Sequence, residues 1–286
     1  MARAWERVMS KHAKEVARGD RFKFGENWSR FLEVLDGERI LEAEQSLKQM
    51  LEVEDLAGKS FLDIGSGSGL FSLAARRLGA RVYSFDYDPQ SVATTHELKQ
   101  RYFPDDADWT IEEGNALSEG YIRSLGKFDI VYSWGVLHHT GAMWRGLENA
   151  ALPVAEGGRL FVAIYNDQGA ISDFWRKAKK LYVSGPLGKM LISAVFIPYF
   201  VLRPLQADLL RWKNPLDRYR QYKKSRGMSV VHDWRDWLGG YPFEVAKPEE
   251  VLEFSRNRGF VLDKLVRSGG SGNNQFVFTK RSAVET

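Results

Sequence analysis

SFLDIGSGSGLF, residues 60–71, decides how this chain is read: an apolar run ends in Asp63, and glycines follow at 65, 67 and 69 before a helix-patterned segment begins. The pattern predicts a strand that breaks sharply into a helix over a backbone stripped of side chains. Such a turn lets a bulky ligand press against main-chain N–H groups, and the helix behind it presents the positive end of its dipole. A nucleotide-like ligand is the expectation.

Two glycine fingerprints compete for this loop. A dinucleotide site wants Gly-x-Gly-x-x-Gly, whose third small residue lets the helix pack closely beneath a pyrophosphate. Here Leu70 holds that position, and the spacing is Gly65-x-Gly67-x-Gly69 with Asp63 two residues ahead of the first glycine. A carboxylate there repels a pyrophosphate and suits a ligand that carries an ammonium and a sulfonium. On these residues the chain resembles the class I S-adenosylmethionine-dependent methyltransferases, whose first motif has this form. The resemblance implies an α/β, Rossmann-like class I methyltransferase sheet, mostly parallel with its last strand antiparallel.

Three later blocks follow in the family's order. RVYSFDYD, residues 81–88, alternates into a second strand that ends in Asp86, 23 residues after Asp63. An acid about 20 residues past a glycine loop is where a ribose is gripped. The resemblance implies that Asp86 takes both ribose hydroxyls and that Tyr87 lies near the adenine, while Asp88 caps a helix ahead of Pro89. Glu113-Gly114-Asn115-Ala116 resembles the third block, whose residue at 115 is commonly Asp and bonds the adenine amino group. Asn115 departs from that pattern, yet its amide oxygen still accepts such a bond. FDIVYSWGVLHHT, residues 128–140, reads as a buried strand running into a short loop and resembles the fourth motif, with Trp134 at the cofactor. The implied cofactor is S-adenosyl-L-methionine, with S-adenosyl-L-homocysteine as product.

Length and composition set the frame. At 286 residues the chain is read as one core with additions. The absence of cysteine excludes disulfides, thiolate zinc sites and a cysteine nucleophile, and no apolar stretch follows the charged N-terminus, so a cytoplasmic protein is expected. The pattern divides into a helical cap (1–56), a first core part (57–170), a helical insertion or lid (171–243) and a closing core part (244–286), with a glycine-rich turn between two last strands. The cap carries Phe22, Phe24, Trp28 and Phe31. Two roles stay open for them: Trp28 closes the pocket, or the ring cluster packs the cap onto the sheet.

The insertion is strongly basic. Between residues 171 and 226 there are 13 Lys and Arg against 3 Asp, a net of +10 hidden within an overall +4. In its middle, MLISAVFIPYFVL (190–202) has no charge; thirteen residues fall short of the ~20 that cross a bilayer, which favours a lid or interfacial helix. Three readings stand. The first is a lid that receives a hydrophobic or anionic amphiphilic acceptor, its basic flanks meeting an anionic group or, through 176–213, the inner face of a membrane. The second is a homodimer interface or ordinary core. The third is RNA binding through Trp212, Tyr219 and Tyr222, disfavoured because nucleic-acid enzymes are basic more broadly.

Methyl transfer is an in-line displacement, to which an enzyme contributes alignment and desolvation, and no metal is required. A hydroxyl acceptor needs a base, and histidine is the usual one. His138 and His139 follow the fourth strand, and His139 is preferred because alternate side chains diverge along an extended loop and His138 faces the core; a scaffold role for the pair stays open. Tyr165 and Asn166 follow the fifth strand, and His232 and Tyr241 lie in VHDWRDWLGGYPFE, an aromatic stretch suited to wall an acceptor pocket. The expected activity is O-methylation of a hydrophobic or amphiphilic small molecule, with C-methylation open. An RNA methyltransferase or a catalytically silent cofactor-binding subunit are the alternatives.

Overall fold

A computed structural model of the protein describes residues 11–210, 237–270 and 272–281. Among its inner strands is β1 (Ser60–Ile64), where four of five residues are buried because helices cover both faces of the sheet. Parallel neighbours flank it: β2 (Arg81–Asp86) and then β3 (Trp109–Glu113) on one side, β4 (Phe128–Trp134) and then β5 (Val154–Tyr165) on the other. The last two strands, β6 (Phe260–Val266) and β7 (Asn273–Lys280), form a hairpin whose second arm slots antiparallel between β5 and β6. The seven-stranded order is therefore β3-β2-β1-β4-β5-β7-β6. The order reverses at β1 and β4, and ligands of such sheets bind at the carboxyl ends of the strands beside that switch.

Helices α1 (Lys11–Ala17), α2 (Gly25–Phe31) and α3 (Gly37–Leu51) precede the sheet. α3 packs on α4 (Leu70–Arg77), and their apolar faces bury Leu47, Leu51 and Leu73 against Phe61 and Trp109. On the opposite face of the sheet, α7 (Met143–Ala151) and α10 (Pro248–Arg256) cover Leu62, Val131, Leu160 and Phe276. α5 (Pro89–Tyr102) begins as its sequence predicts: Asp88 accepts the Gln90 N–H at 3.0 Å, and Pro89 fills the first turn, where its missing N–H costs nothing. A short α6 (Glu119–Ser124) links β3 to β4.

After β5 come α8 (Ala170–Val183) and α9 (Pro186–Leu210). α9 overturns the expectation of a thirteen-residue apolar helix: it runs for 25 residues, and its 18-residue window from Pro186 to Arg203 has mean hydropathy 1.3. Counting only the uncharged stretch stopped at Lys189 and Arg203, whose long side chains carry their charges outward without ending the helix. Length therefore no longer argues against a membrane span. Only 6% of that window is buried, with one side of α9, carrying Ile192, Phe196 and Phe200, resting on Ala178 and Tyr182 of α8 and on Leu238.

Candidate active site

The glycine loop is built as the spacing requires. Gly65, Gly67 and Gly69 have φ of +80°, +56° and +79°, the left-handed region where a side chain is strained. Space is tight for side chains as well. A Cβ on Gly65 would fall 2.4 Å from Val136, and one on Gly67 would meet the Trp28 indole at 3.1 Å. The loop is tied to the sheet by the N–H groups of Gly65 and Ser66, both donating to the Phe85 carbonyl at 2.9 and 3.1 Å.

Two carboxyls lie against this loop. Asp63, only 2% exposed, accepts the Ser72 hydroxyl at 2.5 Å, and Ser72 continues through Ser84 to the Trp109 indole N–H. Burial pushes the Asp63 carboxyl up to about 7, with the Ser72 hydrogen bond opposing and the nearby Asp86 charge adding to the rise. Asp86, at the end of β2, accepts the N–H of Gly67 and that of Asp88, each at 2.9 Å. Burial raises it to about 6 against those two backbone donors. Among the described residues neither carboxyl has a Lys or Arg partner. The site thus concentrates negative charge without a cation of its own, a condition that a cationic ligand relieves.

The other residues that the resemblance implies at the cofactor lie around this pair. Tyr87 follows Asp86, and its hydroxyl donates to Glu15 of α1 at 3.2 Å while the Arg21 guanidinium sits 5.1 Å from its ring. The Asn115 amide oxygen accepts the Leu117 N–H at 2.9 Å, a local turn that leaves the amide's NH₂ for other partners; Ala116 beside it is buried. Trp134 ends β4 at 41% exposure, its indole N–H on Gln275 at 3.3 Å. Trp28 sits against the glycine loop. Its ring lies over Gly67, and its helix is pinned where the Gly25 N–H donates to Asp88 at 2.9 Å.

The histidine pair occupies a 3₁₀ turn, Leu137–His139, instead of the expected extended loop, and so both rings are buried. They come together at ring centroids 4.5 Å apart, with Tyr165 4.0 Å from His138 and 5.5 Å from His139. Backbone groups hold both rings. The Tyr165 N–H donates to His138 Nδ1 at 3.3 Å and the Ala163 carbonyl also faces this imidazole, while His138 Nε2 is buried without a hydrogen-bond partner among the described residues. His139 Nδ1 lies 2.6 Å from the Pro242 carbonyl, which only accepts, so its lone pair is on Nε2. Burial pulls the His139 imidazole down to about 3, and His138 well below its usual range. Two neutral imidazoles, one of them with an acceptor nitrogen at Nε2, therefore stand side by side at the carboxyl ends of β4 and β5.

Two further candidates also make contacts within the frame. Asn166 donates to the Gly270 carbonyl and accepts from Asn274 at 3.0 Å, bracing the closing hairpin. The Tyr241 carbonyl accepts the Phe22 N–H at 3.0 Å and so ties the cap to the returning chain. His232, Trp212, Tyr219 and Tyr222 lie outside the described residues. Among the described residues no group of three or more His, Asp or Glu is arranged to hold a metal ion.

One residue at this site was not anticipated. Lys179 of α8 is 1% exposed; its Nζ donates to the Trp237 carbonyl and lies 4.6 and 5.0 Å from the rings of Trp237 and Phe243. Burial draws its ammonium down to about 7. Phe243 in turn packs 5.2 Å from Tyr165. Within the basic run RKAKKL, Lys179 shares a helical face with Trp175, Ala178 and Tyr182, and that periodicity was the available signal.

Residues 62–160 match the family model of the methyltransferase domain. The chain is 35% identical over 115 residues to the ubiquinone biosynthesis O-methyltransferase of Methylobacterium sp. (strain 4-46), covering 40% of this chain and 43% of that one. It is 46% identical over 54 residues, 18% of each chain, to the ribosomal protein L11 methyltransferase of Aeromonas salmonicida (strain A449). The match thus spans less than half the length of these curated relatives. Among solved structures, the magnesium protoporphyrin IX methyltransferase from Synechocystis PCC 6803 with bound SAM superposes with TM-score 0.50 at 12% identity, over 84% of this chain and 79% of that one. An O-methyltransferase family protein from Burkholderia thailandensis gives 0.51 at 14% identity, over 99% and 70%. The fold is that of the class I methyltransferases.

Proposed function

We propose, from the premise that residues 62–160 are a methyltransferase domain, that this protein transfers a methyl group from S-adenosyl-L-methionine to oxygen of a hydrophobic or amphiphilic small molecule, working peripherally at a membrane. The observation that carries the cofactor assignment is the pair of uncompensated carboxyls, Asp63 and Asp86, at a loop whose three glycines leave little room for a Cβ. These residues fit the donor: Asp86 offers two oxygens to two ribose hydroxyls, and the negative field of the pair suits an ammonium and a sulfonium. Tyr87, Asn115, Ala116 and Trp134 would border the adenine and the methionine chain, and Trp28 would close the loop from the cap side. S-adenosylmethionine, when bound, supplies a methyl group activated by positive sulfur.

The chain's own part is alignment, exclusion of water and handling of one proton. His138 would help hold the acceptor oxygen in place, and His139 Nε2, drawn down to about 3, would accept its hydrogen bond and take the proton only late, once methylation has made the oxygen strongly acidic. Tyr165 keeps both rings oriented. Phe24, Tyr165 and Phe243 surround the histidine pair with aromatic rings, since Phe24 lies 4.9 Å from the His139 ring and Phe243 5.2 Å from Tyr165. Those rings support an acceptor with a large apolar part, and the likeness to a ubiquinone biosynthesis O-methyltransferase supports oxygen as the methylated atom. The test is incubation with methyl-deuterated cofactor and a total lipid extract, followed by mass spectrometry. Label in a lipophilic product upholds the reading, whereas label in RNA alone, or in nothing despite cofactor binding, overturns it.

A further inference from the structure

α9 is apolar on both sides. Its inner side meets α8, while its outer side presents Leu187, Met190, Leu191, Val195, Tyr199 and Leu202, all between 44 and 64% exposed. Their spacings of three and four keep them on one helix face, a stripe about 22 Å long. Phe174 and Leu181 of α8 extend the exposed apolar surface at 51 and 45%. No described residue covers the stripe.

Cations frame it. Lys177 and Lys180 on α8 and Lys189 and Arg203 on α9 are all exposed. At the α8–α9 turn, one end of the stripe adjoins a cavity of about 280 Å³ lined by Arg21, Lys23, Arg30 and Lys189, with Glu26 its only acid. Lys23 pairs with Glu26 at 3.2 Å and Arg21 with Glu15 at 3.0 Å. Arg30 and Lys189 have no carboxylate partner among the described residues, so the cavity keeps two uncompensated cations.

We propose that this face docks on an anionic bilayer, with the α9 stripe lying at the headgroup–acyl boundary and a phospholipid phosphate held by Arg30 and Lys189 in the cavity beside it. The proposal rests on the membrane part of the reading above and not on its chemistry. Charge selects the occupant. A second copy of this chain would bring the same cations against themselves across a two-fold axis, whereas an anionic leaflet complements both the stripe and its flanks. The placement also suits a greasy acceptor, because α8 turns Phe174 and Leu181 outward and, through Lys179, packs against Trp237 and Phe243 beside the histidine pair.

The test is co-sedimentation of the full chain with vesicles of phosphatidylcholine alone and of phosphatidylcholine with phosphatidylglycerol, at low and high salt. Sedimentation with the anionic vesicles only, reduced by salt, is expected. Lys189→Gln and Arg30→Gln should each weaken the partition about five-fold, and Met190→Glu with Val195→Glu should abolish it. Light scattering and the thermal shift with S-adenosylhomocysteine accompany every variant. Equal sedimentation with both vesicle types, none with either, unchanged partition of the two Gln variants, or a wild-type dimer that the Glu pair dissolves overturns the proposal. A retained thermal shift in such a case leaves the methyltransferase reading standing, and a lost shift with vesicle binding intact removes that reading alone.

Discussion

Binding of S-adenosylhomocysteine should tighten steeply as pH rises from 5 to 8. In the free protein Asp86 titrates near 6 and Asp63 near 7, both raised chiefly by burial. Ribose hydroxyls need two acceptor oxygens and an ammonium needs a negative charge, so the ligand selects the ionised forms. At pH 5 a carboxyl with a pKa of about 6 is only about one-tenth ionised, which alone weakens affinity about ten-fold relative to pH 8. If Asp63 titrated independently it would add about a hundred-fold, but the two titrate as a pair, so about ten-fold is the floor and about a thousand-fold the ceiling. The sign carries over to stability. The folded free protein holds protons that the unfolded chain has released between about pH 4 and 7, so these carboxyls cost stability as pH rises through that window, and the ligand restores it. Calorimetric titration at several pH values, repeated in two buffers of different ionisation enthalpy, measures both the affinity and the protons released. Asp86→Asn should bind weakly with a flatter profile. An affinity flat with pH, or one that improves on acidification, would refute the reasoning.

Other outcomes follow from the same site. Gly67→Ala should cost about 1–2 kcal/mol from its left-handed backbone and lose most ligand affinity because the new Cβ meets Trp28, whereas Gly58→Ala, at φ +73° with open space around it, should share the stability cost and keep the affinity. Thermal melts with and without ligand separate the two, and equal ligand shifts would count against the cradle. His139→Gln should lower kcat about 10²–10⁴-fold with ligand affinity within two-fold of wild type; turnover close to wild type would retire the proton-acceptor role. His138 and His139 are buried neutral, so the stability they permit is complete above about pH 6.5 and is lost as pH falls toward the His139 value of about 3. By pH 5 that loss amounts to about 2 kcal/mol for His139, and the His138 contribution has the same sign. Urea midpoints at pH 7 and pH 5 report it, and the difference should shrink in His139→Gln.

Much of this architecture was legible because it rests on local rules. Glycine spacing predicted the left-handed loop, an acid at a strand end predicted Asp86, and Asp88 with Pro89 predicted a capped helix start. The hairpin could be read from its glycine-rich turn, and its antiparallel insertion beside β5 from the family resemblance. What escaped depended on long-range packing. The 3₁₀ turn at Leu137–His139 is set by partners far away in sequence: the Pro242 carbonyl on His139 and the Glu244 N–H on the His138 carbonyl. No periodicity announces such contacts. Lys179 escaped because a lysine in a basic run is ordinarily solvated, and only its place on the apolar face of α8 marks it. The length of α9 was misjudged because charge was taken as a helix boundary. Asn166 was legible as a residue at the functional edge of the sheet but not as a brace, since its partners Gly270 and Asn274 are more than a hundred residues away.

The central claim is that Asp63, Asp86 and the three glycines between them hold one methyl donor. Its most direct test is a crystal structure of the protein grown with S-adenosylhomocysteine at pH 8. The account predicts density along Gly65–Gly69 with both ribose hydroxyls on the Asp86 carboxylate and the amino-acid end at the Asp63 side of the loop. Ligand bound elsewhere, or a glycine loop left empty at saturating concentration, would contradict it.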